Sequence, residues 1–166
     1  IATLRMLGGP HKVRAASQTV RHWRAMTSSA RFEDVLKAIE GSATELREGG
    51  AAVPSILIAE ADMALGYIRN DWGDIQGASE FIVRNQEPLW AWLADPLERF
   101  LLATTVGHHA QHRGDHVKAD VWLNERAKAR KVGGRGNHPY AANDYRFLAE
   151  NAMMAGRLED AERILR

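Results

Sequence analysis

The chain has no cysteine, which removes disulfide frameworks, thiolate metal centres and cysteine nucleophiles together. Long apolar runs are missing too. The stretch around Ile56–Ala59 is the strongest candidate, and a membrane span needs about 18 or more such residues. Strand signals are scarce, with no sustained alternation of apolar and polar residues and no Asn-Gly turn between β-branched runs. Charge of one sign is absent as well. Lys and Arg number 22 against 21 Asp and Glu, a balance that argues against a protein that wraps nucleic acid.

What remains is an ordinary globular composition, 45% hydrophobic and 26% charged over 166 residues. That length suits one compact domain or one short repeat array. The chain starts at Ile1 with no initiator Met, basic leader or cleavage site, and it ends at Arg166 inside a helical pattern from Leu158 with no cap after it. Both ends read as cut from a longer protein.

Four segments share one form: a helix, a small residue at a tight turn, and a second amphipathic helix with Ala on its inner face. The turn residues are Ala30, Gly73, Gly114 and Gly156, spaced by 43, 41 and 42 residues. Seven residues earlier stand Trp23, Gly66, Gly107 and Ala149; five later, Val35, Ala78, Ala119 and Ala161; nine later, Ile39, Ile82, Leu123 and Leu165. In the three small-residue columns, ten of twelve slots are Gly or Ala, where composition alone gives about three. Two antiparallel helices need small side chains where their axes approach, and the turn needs a residue that tolerates a C-cap conformation. One such hairpin cannot bury its apolar face, so neighbours must stack on it. The expected fold is therefore all-α, with hairpins at about 11–48, 54–86, 95–132 and 140–166. The breakers Gly8-Gly9-Pro10, Gly49-Gly50 with Pro54, Asn85 to Pro88, and Gly133 to Pro139 set those limits.

The small–turn–small spacing, with Gly73-Asp74 and Gly114-Asp115 at the turns and Leu148 to Leu165 as the best-matching unit, resembles the tetratricopeptide repeat (TPR). The units are longer than that family's 34 residues, Trp23 replaces a small residue, and no Pro closes each unit. Longer units of this kind look like those in the sensor arrays of MalT-type (LuxR-family) bacterial transcription regulators. The resemblance covers nearly the whole chain and implies a right-handed superhelical array of about four hairpins. It also implies that the first helix of each hairpin lines a concave groove. Tyr67, Asp71, His108, His112, Glu150 and Met154 then face inward, a mixture suited to a protein or peptide partner. None of the six is Lys, so a clamp for acidic peptide C-termini is not expected.

Other features have simpler readings. His108 and His112 share a helix face and could offer two ligands to a metal ion, but no further ligand completes a site, and no metal or cofactor is expected. Arg126, Lys128, Arg130, Lys131 and Arg135 read as a solvated helix end whose cations complement the C-terminal dipole. The Gly133-Gly134-Arg135-Gly136 loop lacks the Gly-Lys-Ser/Thr ending of a phosphate loop. Trp90 and Trp92, two apart, cannot both face one core; Trp23, Trp72 and Trp122 read as plugs at hairpin junctions. No nucleophile–base–acid set is visible.

The expected function is partner binding by a regulatory or sensor array within a larger bacterial protein, not catalysis. A scaffold in an envelope, exopolysaccharide or secretion assembly is one alternative, and a docking module of a larger enzyme another. Direct nucleic-acid binding and a membrane span are not expected. The expected compartment is the cytoplasm, with the periplasm as the alternative.

Overall fold

A computed structural model of the chain describes residues 15–20, 31–50, 53–134 and 141–166. These are all-helical, with no strand among them. Residues 15–20 are helical, followed by α1 (Phe32–Glu48), α2 (Ser55–Asp71), α3 (Ile75–Trp92), α4 (Pro96–His112), α5 (His116–Val132), α6 (Ala141–Met154) and α7 (Leu158–Leu165). No helix among the described residues is long and apolar enough to cross a membrane. The chain forms two compact units, Ile1–Leu89 and Trp90–Arg166.

Three helix–turn–helix joints use the same local chemistry. Gly73, Gly114 and Gly156 all have positive φ, at 86°, 75° and 73°, a region that only glycine enters at no steric cost. Each lets the next residue reach back five positions to close the preceding helix. Asp74 N–H donates to Arg69 O at 2.9 Å, Asp115 to Ala110 O at 2.9 Å and Arg157 to Ala152 O at 2.8 Å. This is a Schellman closure repeated three times. The aspartates then start the following helix, since Asp74 Oδ1 accepts from Gly77 N at 2.9 Å and Asp115 Oδ1 from Lys118 N at 3.1 Å. The third joint has Arg157 there and no side-chain cap.

The small-residue columns lie where helices meet. A Cβ on Gly66 would sit 2.6 Å from Ile82 Cγ1, and one on Gly107 would sit 2.9 Å from Leu123 Cδ2. Ala78, Ala119 and Ala161 are buried, as are Ile39, Ile82 and Leu123. Leu165, aligned with those last three, is exposed. The first hairpin's Trp23 and Ala30 lie outside the described residues, but α1 buries Val35 and Ile39 as the spacing predicts.

Within each unit, a second helix also stacks on the first helix that follows it. In the first unit the core joins Val35, Ile39, Ala43 and Leu46 of α1 to Ala61, Ala64, Leu65 and Ile68 of α2. In the second unit Ala119 and Leu123 of α5 pack with Phe147 and Leu148 of α6.

One boundary differs from expectation. The sequence predicts a second hairpin at 54–86 with Pro88 as a breaker, yet α3 runs through Pro88 to Trp92. A proline removes the hydrogen bond to the carbonyl four residues back. Here that residue is Arg84, and both Arg84 and Pro88 are exposed, so solvent can satisfy the freed carbonyl.

The tryptophans divide by face. Trp90 meets Trp122 edge-on at 5.1 Å, and Arg99 lies 5.0 Å above the Trp90 ring. Trp92 is exposed. Trp72 stacks on Phe32 at 4.4 Å while staying exposed.

Candidate partner-binding face

The six residues expected to line a groove divide between the two units. In the first, Asp71 is exposed at the end of α2, whereas Tyr67 packs against the hydrophobic core. The other four lie in the second unit, on α4 and α6, which touch through an edge-on contact between His108 and Phe147 at 4.4 Å.

That contact changes the role of His108. Its Nε2 is buried with no hydrogen-bond partner. Burial, followed by the positive fields of Arg126, His112 and Arg146, lowers its pKa to about 4. It is a neutral, partly buried side chain packed against Phe147. His109 is also lowered to about 4, by burial first and then by Arg113, His112 and Lys118. His112 is exposed at the helix end, Glu150 is half-exposed beside Arg146 at 3.4 Å, and Met154 is exposed. No group of three or more potential metal ligands occurs among the described residues.

The exposed part of the face extends beyond the residues found by sequence. Leu97 and Leu101 are exposed on α4 and align with His108 and His112 at helical spacings of 4, 7 and 4. Met153 is exposed beside Met154 on α6. The two leucines carry a simple signal, an i, i+4 pair in line with the histidines.

Beneath this face lies a charged cluster that corrects the reading of the basic run. Arg126 and Arg130 are only 5% and 7% exposed, so they are not a solvated helix end. Both guanidinium groups bind the buried Asp144 carboxylate, one on each oxygen. Arg126 Nε donates to Thr104 Oγ1 at 2.9 Å, and its guanidinium lies over the rings of Phe100 and Phe147, at 4.7 and 4.8 Å. Burial and then the charges of Arg130 and Arg146 bring its pKa down to about 10, which still leaves it cationic at neutral pH. The signal was positional: Ala119, Leu123, Arg126 and Arg130 follow 4-3-4 spacing along one inner face. Lys128 does pair with Glu125 at the surface, at 2.7 Å. Arg135 lies outside the described residues.

A second polar bridge fixes α5 on α6. Asn151, fully buried, donates to His116 O at 2.9 Å and to Asp120 Oδ1 at 2.7 Å, and its Oδ1 lies 2.9 Å from His116 Nδ1. Arg157 holds the other Asp120 oxygen at 2.7 Å. His116 and Asp115 thus serve the fold, through Asn151 and the start of α5. The first unit has a related clamp, in which buried Asp62 of α2 binds Arg47 of α1 and Arg84 of α3.

The two lowered histidines give a pH dependence with a definite sign. At pH 5 to 6 they are neutral when folded, while the unfolded chain takes up protons below about 6.5. The unfolded state then binds more protons, so stability falls as pH drops from about 6.5 towards 4. Urea unfolding of His108→Phe at pH 7, 5.5 and 4.5 should show a flatter decline than the parent protein. An unchanged slope would mean that His108 protonates freely in the folded state.

Comparison with protein-family models, curated proteins and solved structures finds no match.

Proposed function

We propose that this chain is a protein- or peptide-binding module of TPR-like hairpins in a right-handed superhelical array, and that it serves as the sensor or regulatory array of a larger bacterial protein of the MalT type. It works by binding, not by catalysis. The observation that carries the binding reading is the exposed α4 stripe of Leu97, Leu101 and His112, with Glu150, Met153 and Met154 on the adjoining α6. Apolar side chains left in solvent beside polar ones, over a rigid support, suit a helical or extended peptide. The support here is the Asp144 clamp, which fixes α5 against α6 from below.

A random peptide library displayed on phage, selected against the purified chain, tests the assignment. Enriched peptides should lose about tenfold in affinity, close to 1.4 kcal/mol, on Leu101→Asp or His112→Asp. Val121→Asp, on the exposed side of α5, should leave them unaffected. No enrichment, or sensitivity to Val121→Asp alone, would place binding elsewhere.

A further inference from the structure

Among the described residues, the three methionines fall into two environments. Met63 is 1% exposed within α2, whereas Met153 and Met154 are 54% and 57% exposed at the end of α6. Thioether oxidation requires access of the oxidant to sulfur, so the adjacent pair should react well before Met63.

The backbone beneath the pair is secured independently of the two side chains. Ala155 N donates to Asn151 O at 3.0 Å, Gly156 N to Met153 O at 3.0 Å, and Arg157 N to Ala152 O at 2.8 Å. Asn151 and Ala152, just before the pair, are buried at 0% and 1%. The repeat supplies a second argument. At the Met154 position the sister hairpins carry the exposed Asp71 and His112, and at the Met153 position the buried Asn70 and Gln111, so the fold accepts a polar side chain at both, and at the Met154 position it does so in solvent. Oxidation would alter the surface and leave the core untouched.

We infer that Met153 and Met154 form an oxidation-responsive edge of the second unit, at which peroxide-class oxidants convert an apolar patch into a polar one without unfolding the protein. In each step a sulfur lone pair attacks one peroxide oxygen and an S–O bond forms. The O–O bond breaks, and the departing hydroxide takes the proton from the transferred oxygen to become water. The thioether loses two electrons and the peroxide gains them. The consequence for partners rests on the proposed function, because Met154 belongs to that face: a partner held by apolar contact is released on oxidation.

Timed exposure of the purified chain to hydrogen peroxide, followed by digestion and mass spectrometry, measures the site directly. The peptide carrying Met153 and Met154 should gain oxygen at least about tenfold faster than the one carrying Met63. Retention on a phenyl column should fall, with circular dichroism and melting temperature unchanged. The double variant Met153→Leu, Met154→Leu should keep its retention under peroxide. Comparable oxidation of Met63, a fall in melting temperature, or unchanged retention would each overturn the inference. Library-selected peptides add a separate arm: if none exists, the binding reading fails while the retention result still decides the oxidation site.

Discussion

Replacing Asp144 with alanine is expected to cost about 3–5 kcal/mol of unfolding free energy, the range for breaking a buried ion pair by removing one partner. Two guanidinium groups, both almost fully buried, would then share an interior with no carboxylate between them. The aromatic faces of Phe100 and Phe147 hold Arg126 in place and offset little of that desolvation. Asp62→Ala is the natural comparison, because its partners Arg47 and Arg84 keep 44% and 55% of their side-chain exposure. Those arginines can turn to water, so the loss there should be clearly smaller. Urea denaturation of both variants measures the difference. Equal losses would show that the Asp144 cluster is better hydrated than its geometry indicates.

Leu123→Ala should cost about 2–5 kcal/mol, as expected for a large buried side chain truncated in a packed interior. Its sharper consequence appears in combination with Gly107. Alone, Gly107→Ala brings a Cβ to 2.9 Å from Leu123 Cδ2 and 3.1 Å from Cγ, so it should destabilise. In the Leu123→Ala background those atoms are gone. Alanine then gains about 1 kcal/mol of helix propensity over glycine, and the same substitution should stabilise. A change of sign between backgrounds corresponds to a coupling of about 1 kcal/mol or more. Additive effects would show that α4 and α5 do not meet at this pair.

The turns and the small-residue columns were legible because positive φ and close helix approach each demand a residue type. Gly73, Gly114 and Gly156 leave that demand in the composition, and Gly66 and Gly107 do so where Ile82 and Leu123 press against them. Other features depend on surroundings that residue type alone does not encode. Pro88 breaks a helix only if the carbonyl four residues earlier cannot find another partner, and at Arg84 it faces solvent. Arg126 and Arg130 belong to a run of charge whose composition alone predicts a solvated helix end. Their helical face, and an Asp partner 18 and 14 residues downstream, decide otherwise. The groove assignment placed Tyr67 and His108 by hairpin position, but the neighbouring packing set their exposure. The Tyr67 ring meets the core of its unit, and Phe147 covers the imidazole of His108. The exposed leucines of α4 carry no signal of their exposure in sequence, because an i, i+4 leucine pair reads equally as a core stripe.

The polar bridges between successive helices span short stretches of chain. Arg130 reaches Asp144 over 14 residues, Arg47 reaches Asp62 over 15 and Arg84 reaches Asp62 over 22. Closing such short loops costs little entropy, and topologies rich in near-sequence contacts fold quickly. Synthesis at the ribosome supplies the chain in the same order. By the time Asp144 emerges, both of its arginines have already been made, and Asp120 precedes Arg157 in the same way. Each new hairpin therefore finds its docking surface already synthesised, so the order of translation is also an order in which the structure can be laid down.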